Sequence, residues 1–136
     1  WNRTLSVLNN PSARGFGGLD PNTTRDAAAL RMIFEPQYYQ VRPGLDLSFP
    51  VGLGYNLAGR SSAVINFAGG GSKVGDLSLG VKAKFQDGWN LSLNLMTYFG
   101  SANTLTVPDP LGTRMLSFGQ TLRDRSYLAL SASRTF

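Results

Sequence analysis

Apolar and polar residues alternate along much of the chain, and the alternation runs longest between Val74 and Gly100. Leu77, Leu79, Val81, Ala83 and Phe85 interleave with Asp76, Ser78, Gly80, Lys82, Lys84 and Gln86. Beyond Asp87-Gly88, Trp89, Leu91, Leu93, Leu95 and Phe99 share one side, while Asn90, Ser92, Asn94 and Tyr98 share the other. Successive strand residues point to opposite faces, so the pattern predicts a hairpin of strands 74–86 and 89–100 with one apolar and one polar surface. Strands in soluble domains are typically about 5–6 residues, whereas a tilted membrane-crossing strand needs roughly 9–11. Both arms belong to the longer class.

The turn chemistry predicts the register. A two-residue Asp87-Gly88 loop would set Gln86 against Trp89 and mix the faces. A three-residue loop, Gln86-Asp87-Gly88, sets Phe85 against Trp89, Ala83 against Leu91, Val81 against Leu93 and Leu79 against Leu95. Lys84 then meets Asn90 and Lys82 meets Ser92. This register keeps both faces pure, with Gly88 expected to supply the left-handed backbone.

Four further strands are expected, at 1–7, 27–38, 45–55 and 127–136. In the second, Ala28, Leu30, Met32 and Phe34 oppose Arg31 and Glu35. A helix is the rival there, because Ala and Leu favour it; Pro36 and the period of two decide for a strand. In the third, Leu45, Leu47, Phe49, Val51, Leu53 and Tyr55 face away from Asp46, Ser48, Pro50, Gly52 and Gly54. In the last, Leu128, Leu130, Ala132, Arg134 and Phe136 share a face. The connections alternate long and short: 8–26, 40–44, 56–73, 86–88 and 101–125. Outer-membrane barrels show this asymmetry, with short periplasmic turns and long external loops. Within the last loop, Leu111, Met115, Phe118 and Leu122 recur at helical spacing, which fits a short helix plugging a lumen or an additional hairpin.

Composition narrows the function. The 136 residues amount to one domain at most and contain neither Cys nor His. Disulfides, thiolate or imidazole metal sites, a Cys nucleophile and a Ser-His-Asp triad are all excluded. Charged residues make up 15%, against about 25% in soluble domains. No apolar run approaches the ~18 residues of a membrane-spanning helix, so any crossing must be made by strands. The chain opens on Trp1 without Met or a signal peptide, which points to a piece of a longer precursor. Net charge is +5. Scattered loop residues account for it more simply than nucleic-acid binding, because basic residues do not alternate with exposed aromatics; the densest spot, Arg123-Asp124-Arg125, holds an acid.

Candidate chemistry is sparse. Gly69-Gly70-Gly71-Ser72-Lys73 lacks phosphate-loop spacing and a following helix. Asp20, Asn22 and Asp26 lack the glycine and distal Glu of a calcium hand. No carboxylate pair suits glycosidic chemistry. No metal, cofactor or enzymatic activity is expected. The polar face is the best functional surface: Arg31, Glu35, Asp76, Lys82, Lys84, Asn90, Ser92 and Asn94 would line an aqueous lumen or brace its wall. Tyr38, Tyr39, Phe85 and Trp89 lie near the short turns and would form an aromatic belt at the membrane interface.

The wording of the chain adds a resemblance. Asn9-Asn10-Pro11-Ser12-Ala13-Arg14-Gly15, Val51-Gly52-Leu53-Gly54-Tyr55-Asn56, Gly75-Asp76-Leu77-Ser78-Leu79-Gly80-Val81 and Ser133-Arg134-Thr135-Phe136 resemble the C-terminal part of the domain-of-unknown-function family thirteen-oh-two of Gram-negative outer-membrane β-barrel proteins. The resemblance implies an all-β, antiparallel, up-and-down transmembrane barrel, of which this chain would supply five to six strands. It also implies a place in the outer membrane of a Gram-negative bacterium and transport of small or hydrophobic compounds or lipids. Implied partners are outer-membrane lipids, the barrel-assembly machinery (reading Leu128, Leu130 and Phe136 as its signal), the remainder of the chain or further copies, and companion lipoprotein and exporter components. The family has no established catalytic residues. The competing expectation is a soluble β-sandwich binding module for a glycan or protein ligand, with apolar faces packed sheet on sheet.

Overall fold

The computed structural model describes residues 23–24, 26–61, 73–86, 88–108 and 114–135, with backbone alone at 114–116. The expected strand 1–7, Asp20, Asn22, the 69–72 glycine tract, Leu111, the Met115 side chain and Phe136 lie outside that description. Every regular element described is a strand: β1 (Ala28–Phe34), β2 (Gln37–Arg42), β3 (Leu45–Ser48), β4 (Val51–Ala58), β5 (Gly75–Phe85), β6 (Trp89–Phe99), β7 (Thr106–Pro108), β8 (Arg114–Leu116) and β9 (Tyr127–Arg134). The fold is all-β and antiparallel. β1 to β6 and β9 form one open sheet, and β7 and β8 form a separate small hairpin. β7 and β8 give this loop an additional hairpin, the second of the two expectations, with Phe118 and Leu122 following it.

β1–β2 and β3–β4 behave as two long strands, each interrupted once. Phe34 pairs with Val51 and Gln37 with Ser48, so a single register runs across the gap. The interruption falls at Glu35-Pro36 on one strand and Phe49-Pro50 on the other. Proline has no N–H to give the ladder, yet the Phe49 N–H still reaches the Pro36 carbonyl at 3.0 Å and the Gly80 N–H the Pro50 carbonyl at 2.8 Å. β3 and β4 both pair with β5, β5 with β6, and β6 with β9. The result is a five-stranded meander in which each long strand neighbours the next.

The central hairpin has the register its alternation predicts. Phe85 meets Trp89, Ala83 meets Leu91, Lys82 meets Ser92 and Leu79 meets Leu95. The left-handed backbone falls on Gln86 (φ 48°), with Gly88 outside that region. The Gln86 N–H bonds the Gly44 carbonyl at 2.7 Å, which ties the two short turns together and holds Gln86 where it is. The first short turn is also tighter than expected. β2 runs on to Arg42 because Gln40 (φ 50°) forms a bulge, its N–H held by Asp46 Oδ1 at 2.8 Å. The turn shrinks to Pro43 and Gly44 (φ 76°).

Few of the described hydrophobic residues are buried. Val74 (1% exposed) and Phe118 (6%) are the buried hydrophobic residues among those described. Phe34, Val81, Phe85, Trp89, Leu91, Leu93, Leu95, Leu128 and Leu130 are all exposed on one face of the sheet. No second layer among the described residues covers that face. The opposite face is lined by small residues where strands meet, notably Gly52, Gly54 and Gly80 against Ser78, Asp76 and Pro50. Less volume on one side lets a sheet bend towards it. A hollow of about 440 Å³ on this polar side is bounded by residues of β2, β3, β5, β6 and β9 together, so the polar face is the concave one.

Candidate functional site

The concave face is organised in rows that cross the strands. Residues directly opposite in an antiparallel pair share a face, so the pairings assign each row. Nearest the short turns stand Tyr39, Asp46, Lys84, Asn90 and Ser133; next come Gln37, Ser48, Lys82, Ser92 and Ser131. These residues line the hollow. Further along, Glu35 lies level with Gly80, Asn94 and Ala129, and Arg31 level with Gly54 and Asp76. All eight polar residues expected on the polar surface thus fall on one wall.

Two ion pairs brace the wall. Lys82 Nζ stands 2.8 Å from Glu35 Oε1, which also accepts the Ser48 hydroxyl at 3.1 Å. Arg31 Nη2 stands 3.5 Å from Asp76 Oδ2, although Arg31 and Asp76 sit on strands separated by β4. Gly54 lies between them, and a Cβ there would come 2.6 Å from Asp76 Oδ1. The missing side chain is what lets the guanidinium reach across. Asp46 and Lys84 are direct cross-strand partners. Among the described residues, three cations and three anions therefore occupy the wall, and their charges balance.

At the long-loop end the same face is closed over. Gly54, Asn56, Val74 and Asp76 are buried, and all have the alternation of the concave side. Gln120, 2% exposed, donates from Nε2 to the Gly75 carbonyl at 2.9 Å. Arg123 donates to the Gly100 carbonyl, and Gly100 (φ 115°) packs against Val74. A Cβ at Gly100 would collide with Val74. Nothing in the local sequence signals Gln120, because its partner is a backbone carbonyl far along the chain.

The aromatic expectation divides. Tyr38 lies on the apolar face, edge-on to Phe49 at 5.8 Å. Phe85 and Trp89 share that face, and the Arg134 guanidinium sits 5.2 Å from the Trp89 ring centroid. Tyr39 is adjacent to Tyr38 and so points the other way; it bonds Gln37 and lines the hollow. Leu128 and Leu130 are exposed on the apolar face. Gln37, Asp46, Ser48, Ser131 and Ser133 belong to the wall although they are not among the candidates drawn from the sequence, and Tyr39, expected in the belt, joins them. The same alternation that marks Lys82 reaches each of them. Among the described residues, no cluster of acidic residues has the make-up of a metal site.

No curated protein and no solved structure matches the chain. A family model described as "Protein of unknown function (DUF1302)" matches residues 7–136, nearly the whole chain, and the chain belongs to that family.

Proposed function

We propose that this chain forms part of the wall of an outer-membrane β-barrel, a channel or transporter for small or hydrophobic compounds or lipids. One observation carries the reading: a long-stranded sheet exposes its apolar face and keeps its charged face concave. In water such a face is a liability, since soluble monomers rarely expose apolar patches beyond a few hundred Å². Against lipid it is what a barrel exterior requires. At about 3.4 Å per residue, the 11 residues of β5 or β6 reach about 37 Å, enough to cross a bilayer core when tilted. Trp89, Phe85, Tyr38 and Arg134 fit the interfacial girdle, where a cation near the membrane edge costs about 0–1 kcal/mol.

Five long strands are fewer than the about eight of the smallest bacterial barrels, and open edges are not tolerated in lipid. The edges of β1–β2 and β9 must therefore pair with further strands, from the same chain or from other copies. The test is electrophoresis of the detergent-extracted protein with and without boiling. Faster migration of the unboiled form, with loss of solubility when detergent is removed, is the expected result. A detergent-free, fully soluble monomer would overturn the proposal and favour a sandwich module.

A further inference from the structure

The lipid-facing reading leaves one row of the sheet unexplained. Ile33, Gly52, Ser78, Met96 and Tyr127 are consecutive partners across β1, β4, β5, β6 and β9, so all five share the concave, polar face. Three of them are large and carry no charge. Ile33 is 77% exposed and Tyr127 54%, and Met96 is half-buried. Ile33 is the alternation's main exception on β1, and Met96, followed by Thr97 on the apolar side, is its exception on β6. Lipid cannot account for exposed apolar groups on the inner wall. The two residues between, Gly52 and Ser78, are small and leave a dip along the row.

The neighbours of this row are charged on both sides. The Arg31–Asp76 pair stands one row nearer the long loops, and Glu35, paired with Lys82, stands one row nearer the short turns. Each lies two residues along the strand, about 7 Å away. An apolar band between two ion pairs is matched by a molecule with an apolar body and a charged group. We propose that Ile33, Met96 and Tyr127 form a contact row for the apolar body of a small amphipathic solute, whose charged group is taken by a flanking ion pair. The proposal rests on the barrel reading, because it needs this face to line a lumen.

The test is conductance of the full-length protein in planar bilayers, with tetramethylammonium and tetrabutylammonium as blockers. Tetrabutylammonium is expected to block more tightly than tetramethylammonium. Ile33→Ser and Tyr127→Ser should each weaken tetrabutylammonium block by roughly fivefold, in proportion to the apolar contact removed, with tetramethylammonium block and potassium chloride conductance unchanged. Potassium chloride conductance equal to that of the unsubstituted protein shows that each variant has assembled. A conducting protein whose tetrabutylammonium block is indifferent to both substitutions overturns the contact row and leaves the barrel standing. A protein that neither inserts nor conducts overturns both.

Discussion

At the scale of residues, the wall is held by reach across strands as much as by neighbours. Arg31 and Asp76 meet only because Gly54 lies flat between them. Asp76→Ala should lower stability by no more than about 1 kcal/mol, because the Arg31 side chain it leaves behind is 56% exposed and can be hydrated. Urea-dependent unfolding from lipid vesicles, followed by Trp fluorescence, would measure it. The two faces should also respond oppositely to the same charge. Leu93→Arg places a cation on the apolar face near the strand's middle, where lipid exposure costs about 2–4 kcal/mol, and folding yield into vesicles should fall sharply. Ser92→Arg, one residue away on the concave face, should fold normally. The charged members of the wall are legible one by one from alternation. Their pairing is not, because Arg31 and Asp76 meet across a third strand.

At the scale of elements, the central hairpin is the most legible part of the fold. Purity of both faces admits one register, and the structure has it. The turn residue that bends is a different matter. Gly88 is the conformationally free residue, yet Gln86 takes the left-handed backbone because its N–H is recruited by Gly44 of the neighbouring turn. Such a contact between turns has no local signature. The Gln40 bulge escaped prediction for the same reason, since it depends on Asp46 across the turn. The pairing of β6 with β9 can be checked chemically, because the chain has no cysteine of its own. Ser92 and Ser131 are direct partners, so Ser92→Cys with Ser131→Cys should form a disulfide in mild oxidant. Ser92→Cys with Ala132→Cys, whose second side chain faces the other way, should not, and non-reducing electrophoresis separates the outcomes.

At the scale of the molecule, the sheet is inside out relative to a soluble domain. Single-cysteine variants along β5 expose that directly. In lipid vesicles, cysteines at Ser78 and Lys84 should react with a polar maleimide, while those at Leu79, Val81 and Ala83 should be protected. Uniform labelling of both sets would refute a lipid-facing convex side. Long strands, alternating loop lengths and low charge content already pointed to this arrangement. The closing-over of the concave face by Gln120 did not show in the sequence, since it joins parts of the chain 45 residues apart.

The balance of charge on the wall has a last consequence. Arg31, Lys82 and Lys84 offset Glu35, Asp46 and Asp76, so the whole excess of +5 comes from residues other than these six. Attraction of anions then falls to charges outside these pairs. Exposed charges are screened beyond about 8–10 Å at physiological ionic strength, whereas two opposite charges in contact present little net field to a third to begin with. If the chain is the channel wall proposed above, raising ionic strength should slow the arrival of anionic molecules more than their transit past the paired groups. On that proposal, capture and passage are separable steps, set by different charged groups.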